Sequence, residues 1–354
     1  MRNVLIVGIL LVMVAAQTVH AKQLVILSLG ADQKLVVYEL VTNDGTLTKQ
    51  SSVDTSGKPG AMCMSSDGHR VYVAMKGTGM IAAYQFTSDD DLVLLNEIAV
   101  GMDPSYLSLD PSGKFLVGAY YSTGQVTVHS TDATGKVSGE PLQRISTDER
   151  AHAAVFDRSG KFVFVPHTRP NAIFQFRFDA PTGMLTANDP PKLLRDADTG
   201  PRHLWFHPGN QYAFGSDEQG SSITGYRFDH SSGQLTTMQT LSSLPATGFE
   251  GRNSTADIEV HPSGEFVYIA NRGHDTIAGY SISETTGRLT FLGRTPTESV
   301  TRSFNIAPDG RHLIAAGQKS GKLAVFQIHD DGSLVRTQTV MAGENPWWVL
   351  IVER

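Results

Sequence analysis

A tight-turn motif recurs six times along the chain: SSDGHRVYVA, DPSGKFLVGA, DRSGKFVFVP, HPGNQYAFGS, HPSGEFVYIA and APDGRHLIAAG. Its Gly or Asn stands at 68, 113, 160, 210, 264 and 310, a period of 45 to 54 residues. A second signal, an aliphatic residue followed three positions later by an aromatic or aliphatic one, recurs seven times. It begins at Leu35, Ile81, Val126, Ile173, Ile223, Ile277 and Leu323. A third, usually Gly and then an apolar residue, follows each of these, from DGTLT through TGMLT to DGSLV. Apolar residues alternating between Gly, Asp and Ser are strand and turn chemistry. Each unit therefore reads strand, tight turn, strand, loop, strand, tight turn, strand. Seven such units predict an all-β fold, a seven-bladed β-propeller with four antiparallel strands per blade.

The two ends of the repeat are complementary. QLVILSLG, just after Lys22, matches a second strand with no first strand before it. NPWWVLIVER, at the other end, matches a first strand with nothing after it. One blade is expected to be shared by the two ends, which closes the ring and covers both sheet edges.

The residues before Lys22 have a different character. Met1-Arg2 supplies positive charge, Val4 to Ala16 is apolar, and Val19-His20-Ala21 offers small residues where a signal peptidase reads. Residues 1–21 are expected to be a secretory signal peptide, too short for a membrane span, with the propeller over 22–354. The protein is then exported, periplasmic or secreted, with no stable membrane insertion after cleavage. Cys63 is the only cysteine, so no intrachain disulfide forms and the apolar core alone must hold the fold. Its thiol is expected in that core. A net charge of −6 and the lack of any Lys/Arg run argue against nucleic acid as a partner.

Blade connectivity divides the loops between two faces. The repeated tight turns share one face, where His207 and His261 precede Pro and carry turn chemistry only. The linkers into each first strand and the loops after each second strand share the other. This second face is irregular and charged. It carries His152, His167, Arg169, Arg202, His203, Asp217, Glu218, Asp257, Arg272, His274, Arg302 and Lys319. The first strand of a propeller blade is innermost, so the linkers into it rim the central channel. Charges there are costly unless they pair or meet a ligand.

At these residues the chain resembles a known family. GPRHLWFHPGNQYAF, ADIEVHPSGEFVYIANR and RSFNIAPDGRHLIAAGQKSGKLAVF resemble the seven-bladed propeller lactonases. That family includes bacterial propeller-type 6-phosphogluconolactonases and fungal carboxy-muconate cyclases. The resemblance implies a lactone hydrolase acting on a small-molecule lactone or carboxylate, sugar-derived or carboxylated, in carbohydrate metabolism. In the cyclase branch a His, two Arg and a Glu act at the channel mouth. By motif these fall on His152 in AHAAVFD, Arg202 in GPRH, Glu218 in DEQGSS and Arg272 in ANRGHD. Export is a departure from the family, because phosphogluconolactone is cytosolic.

The residue types suit that chemistry on their own account. Opening a ring ester needs a base for water, a cation for the oxyanion and an acid for the leaving oxygen. Glu218 or His152 can serve as base, and Arg202 and Arg272 can hold a carboxylate or oxyanion. His167, Arg169, His203, Arg302 and Lys319 are expected to contact substrate. Three other readings share the same residues: the reverse reaction in a muconate-type lactonising cyclase, a non-catalytic exported binding platform, and a salt-bridge network between blades. No cofactor is expected. No cluster has zinc spacing. Glu250, Asp257, Asn271 and Asn305 imitate the carboxylate-and-amide set of a channel calcium site, but no metal is expected.

Overall fold

The computed structural model describes residues 22–354. The segment read as a signal peptide, 1–21, lies outside the described residues. Those residues form 28 strands in seven four-stranded antiparallel sheets, and no helix. Six sheets use four consecutive strands, innermost first. They run from β4 (Lys58–Met64) to β7 (Leu92–Ala99), β8 (Tyr106–Leu109) to β11 (Gln143–Ser146), and β12 (Val155–Phe156) to β15 (Met184–Leu194). The others run from β16 (Pro201–Phe206) to β19 (Gln234–Ser242), β20 (Ser254–Val260) to β23 (Leu289–Pro296), and β24 (Thr301–Ile306) to β27 (Leu334–Met341). The seventh has the order β28-β1-β2-β3. Here β28 (Pro346–Glu353) pairs with β1 (Gln23–Leu29), Leu27 opposite Val349 and Gln23 opposite Glu353. The blade shared by the two ends is thus present.

Burial peaks at the second strand of each blade and falls toward the outer edge, while innermost strands such as β8 are partly open to the channel. The second strands, such as β17 (Tyr212–Asp217), are buried along their whole length, whereas the outer β3 (Leu47–Asp54) is largely exposed. Middle strands have a neighbouring blade on each face, so both faces must be apolar. Seven apolar clusters fill the seven gaps between blades. One joins Phe162 and Phe164 to Tyr226 and Phe228, and another joins Val25, Leu27 and Val36 to Ile314 and Val325 across the closing blade.

The repeated turns explain the repeated sequence. Asp157 Oδ1 accepts the backbone N–H of Lys161 and Phe162, while Oδ2 accepts Ser159. Gly160 adopts φ +69°, and a Cβ there would lie 2.6 Å from Pro111 Cγ. Asn210 takes the same left-handed position, with φ 56°. His207 and His261 lie near the carbonyl oxygens of Gly264 and Gly310, tying each turn to the next blade's turn. Their role is structural, as the sequence suggests.

Two stretches depart from the repeat. AHAAVFD gives a strand of only two residues, β12, with Ala151 in an isolated bridge to His167. His152 therefore sits in irregular backbone at the rim. TGKVS yields only a bridge between Thr131 and Val137, and the outer strand β11 starts later, at Gln143.

Candidate active site

Five inner strands carry a register shift near their start. In β16 the shift leaves Arg202 out of the ladder, between Pro201 and His203. Arg302 takes the same place in β24, and Trp347 in β28. A bulge frees one residue from pairing and re-aims its side chain. At three inner strands the chain uses it to turn a large side chain toward the channel mouth.

The register is strict. Arg202 lies eight residues before the turn residue Asn210, and Glu218 lies eight after it. The same offset before the other turns marks Gly60, Ser105, His152, Ala256 and Arg302; after them it marks Lys76, Tyr121, Thr168, Arg272 and Gln318. A cavity of about 260 Å³ opens at this end of the channel. It is lined by Lys76, Pro104, Ser105, Tyr121, His152, Glu218, Arg272, Arg302 and Trp347. All seven blades contribute, and seven of these nine residues hold the offset position.

Glu218 is the one carboxylate in that lining. Its Oε2 lies 3.2 Å from Arg202 Nε and its Oε1 lies 3.5 Å from Arg272 Nη2. Arg202 is fully buried, at 1% exposure, directly behind Glu218. Arg272 is steadied by Nη2, which donates to the Thr255 carbonyl at 3.0 Å. The Nε of each arginine lacks a hydrogen-bond partner, because the contact of Arg202 with Glu218 lies off the N–H axis. His152 Nδ1 is likewise buried without a partner. Two of these atoms, Arg272 Nε and His152 Nδ1, belong to residues that line the cavity, a cost that a ligand would relieve.

His152 packs edge-on against Tyr121, ring centroids 5.6 Å apart, and against His203 at 5.1 Å. Burial, and then the Arg202 charge, hold its imidazole well below the usual histidine range, so it is neutral. Across the cavity, Trp347 carries two cations on its ring: Arg302 at 4.3 Å and Lys76 Nζ at 4.9 Å. Burial lowers both, Arg302 to about 10, and each feels a neighbouring cation as well. Neither makes an ion pair among the described residues.

The structure brings His152, Arg202, Glu218, Arg272 and Arg302 together, but not the other sequence candidates. His203 lies one layer below the cavity. His167 is fully buried, with Nδ1 2.8 Å from the Val165 carbonyl, Nε2 2.9 Å from Thr147 Oγ1 and its ring on Phe174. Arg169 and Lys319 are exposed outside the lining. These three stand one residue off the register, and the pleat sends neighbours to opposite faces. Asp217, beside Glu218, faces into its blade and accepts Ser222 and Thr224 hydroxyls. Lys76, Tyr121 and Trp347 were not singled out from the sequence, although the eight-residue offset marks the first two.

A second chamber of about 410 Å³ lies lower in the channel, with Cys63, Arg158, Asp257, Glu259 and Asn305 in its wall. Tyr106, His203 and Trp348 pack between the two chambers. Cys63 lies against this chamber as well as the core, and burial pushes its thiol up. The imagined calcium set does not gather here: Glu250 is exposed, and Asn271 is tied to Ser243 and Thr276 in its own region. No group of three His, Cys, Asp or Glu among the described residues has metal-binding geometry.

Residues 20–351 match the family model described as Lactonase, 7-bladed beta-propeller. The chain is 32% identical over 332 residues to a 6-phosphogluconolactonase of Pectobacterium carotovorum subsp. carotovorum, covering 94% of this chain and 99% of the relative. It is 31% identical over 332 residues to a 6-phosphogluconolactonase of Klebsiella pneumoniae, covering 93% and 99%. Among solved structures, the periplasmic gluconolactonase of Pseudomonas aeruginosa superposes with a TM-score of 0.87 at 24% identity. The match covers 94% of this chain and 99% of that one, and shows a shared fold.

Proposed function

The chain belongs to the seven-bladed β-propeller lactonase family and is a lactone hydrolase; from that premise we propose that its substrate is an anionic, sugar-derived lactone, opened at the cavity above. One observation carries this reading. Lys76, Arg272 and Arg302 line the cavity with Arg202 behind them, against the single carboxylate of Glu218. Four cations facing one anion repel one another in a poorly solvated space. An anionic ligand offsets that repulsion.

The cavity divides accordingly. Lys76 and Arg302, free of carboxylates and resting on Trp347, take the carboxylate or phosphate of the substrate. The relatives' names include a phosphorylated and an unphosphorylated sugar lactone, and this pair of free cations favours the charged one. The ring ester then lies toward Glu218. There Glu218 accepts a proton from water as the water oxygen attacks the carbonyl carbon. Arg272 stabilises the oxyanion, with its unpartnered Nε as one available donor. On collapse the ring C–O bond breaks, and the proton held by Glu218 passes to the leaving alkoxide. Neutral His152 holds a substrate hydroxyl or relays that proton.

Export remains part of the reading. The N-terminal pattern supports it, and the Pseudomonas aeruginosa relative is named as periplasmic. Among the described residues no helix is long and apolar enough to cross a membrane. Mass spectrometry of the protein from its native host should find Lys22 as the first residue.

The function is tested with purified protein and a lactone panel that pairs each neutral sugar lactone with its phosphorylated or carboxylated counterpart. The anionic member should show the higher kcat/KM. Equal rates for both members would remove the anion subsite, and no hydrolysis of any member would remove the proposed substrate class.

A further inference from the structure

We propose that Asp257 and His203 are positioning residues that aim the Arg202 guanidinium by holding His203 in a single tautomer. The kinetic part of this inference rests on the lactonase reading of the cavity; the tautomer itself does not.

Arg202 Nη1 lies 3.1 Å from His203 Nε2. A guanidinium can only donate, so Nε2 must present its lone pair and the ring proton must sit on Nδ1. On that side Asp257 Oδ1 lies 2.8 Å away and accepts it. Asp257 is itself held: Oδ1 accepts the N–H of Ile258 at 3.1 Å, and Oδ2 that of Phe304 at 3.3 Å. The imidazole cannot readily turn over. Its neighbours are His152 at 5.1 Å, Tyr106 at 5.4 Å and Trp348 at 5.8 Å between ring centroids. His203 is 4% exposed and Asp257 5%. The result is a directed chain from the Asp257 carboxylate through the His203 Nδ1–H and its Nε2 lone pair to the Arg202 guanidinium beside Glu218. It crosses from the blade of β20 to the blade of β16. Burial, followed by the Arg202 charge, lowers His203 to about 4, so the chain keeps one direction through the neutral range. Arg202 has a second reason to need it, since its contact with Glu218 is off-axis and does not by itself orient the guanidinium.

The test combines one substitution at Asp257 with two at His203. In Asp257→Asn the carboxamide can present its NH₂ to Nδ1, which moves the ring proton to Nε2 and sets it against Arg202 Nη1. Turnover should fall by roughly 10- to 100-fold with KM changed by less than about threefold, the size expected when a supporting partner is lost. ¹⁵N NMR of His203 should show a protonated Nδ1 in the parent and a protonated Nε2 in Asp257→Asn. His203→Gln keeps an acceptor near Arg202, whereas His203→Asn keeps only a donor toward Asp257, so the Gln variant should turn over faster. Should Asp257→Asn not fold, that pair still decides the kinetic arm. Parent-like turnover in Asp257→Asn with its tautomer unchanged, a parent tautomer protonated on Nε2, or equal turnover of the Gln and Asn variants would each overturn the inference. If the parent opens no lactone, the proposed function falls, while the NMR arm still decides the tautomer.

Discussion

Arg202 and Glu218 stand eight residues to either side of Asn210 and meet at 3.2 Å at the far end of the hairpin that Asn210 turns. The left-handed backbone at Asn210, φ 56°, reverses the chain on one face of the propeller; equal strand lengths bring the two charges together on the other. A salt bridge between the start of β16 and the loop after β17 is thus a consequence of strand register within one blade.

Glu218→Gln keeps the shape of the side chain and removes the charge between Arg202 and Arg272. Steady-state kinetics on the best lactone should show kcat reduced by at least about 100-fold, and circular dichroism should show an unchanged fold. Turnover equal to that of the parent would exclude Glu218 as the group that handles the proton.

Lys76→Met and Arg302→Met each remove one cation from the Trp347 ring and retain most of the aliphatic bulk. For an anionic lactone KM should rise by about 10-fold, the worth of a single charged contact. A neutral lactone should be nearly unaffected. In the parent, KM for the anionic substrate should also rise with ionic strength, because salt screens the attraction that draws an anion from solution to the cavity mouth.

Asp217 gives the fold a pH dependence of known sign. Burial raises its carboxyl to about 6 from 3.8, so between those values the folded state keeps a proton that the unfolded chain releases. Its contribution is therefore fully present below pH 3.8 and lost as pH rises through 6. The gap amounts to about 3 kcal/mol. Asp217→Asn should raise the midpoint of urea unfolding at pH 8 and leave it unchanged at pH 3.5. Equal midpoints at pH 8 would show that the Ser222 and Thr224 hydroxyls already offset the burial of the charge.

Removing residues 346–354 takes away the inner strand of the shared blade. Val349 and Ile351 leave one inter-blade cluster, and Val352 leaves the next. The edge of β1 is exposed at the same time. The truncated chain should lose cooperative thermal unfolding altogether rather than melt a few degrees lower, as calorimetry would show.

Much of this protein was legible in the sequence, because the repeat is written in short-range chemistry. Asp, Gly and Asn at the turns and alternating apolar residues gave the blades, their number and the complementary ends. The family motifs led to His152, Arg202, Glu218 and Arg272. The eight-residue offset was also there to be read, and it separates Lys76 and Tyr121 from His167, Arg169 and Lys319. The latter group looks equally functional by residue type, but each lies one step away on the pleat and faces elsewhere.

Strand and turn positions depend on backbone preferences over a few residues, so sequence alone determined the fold class, the closure of the ring and the face that carries the charges. Ring geometry decided which charges meet. Lys76 and Trp347 share a ring contact across 271 positions of chain, His203 reaches Asp257 from the neighbouring blade, and Arg272 reaches Glu218 across the same gap. Such meetings depend on how seven blades tilt about one axis. That tilt is set by the apolar packing between blades, which the local pattern of any single repeat does not encode.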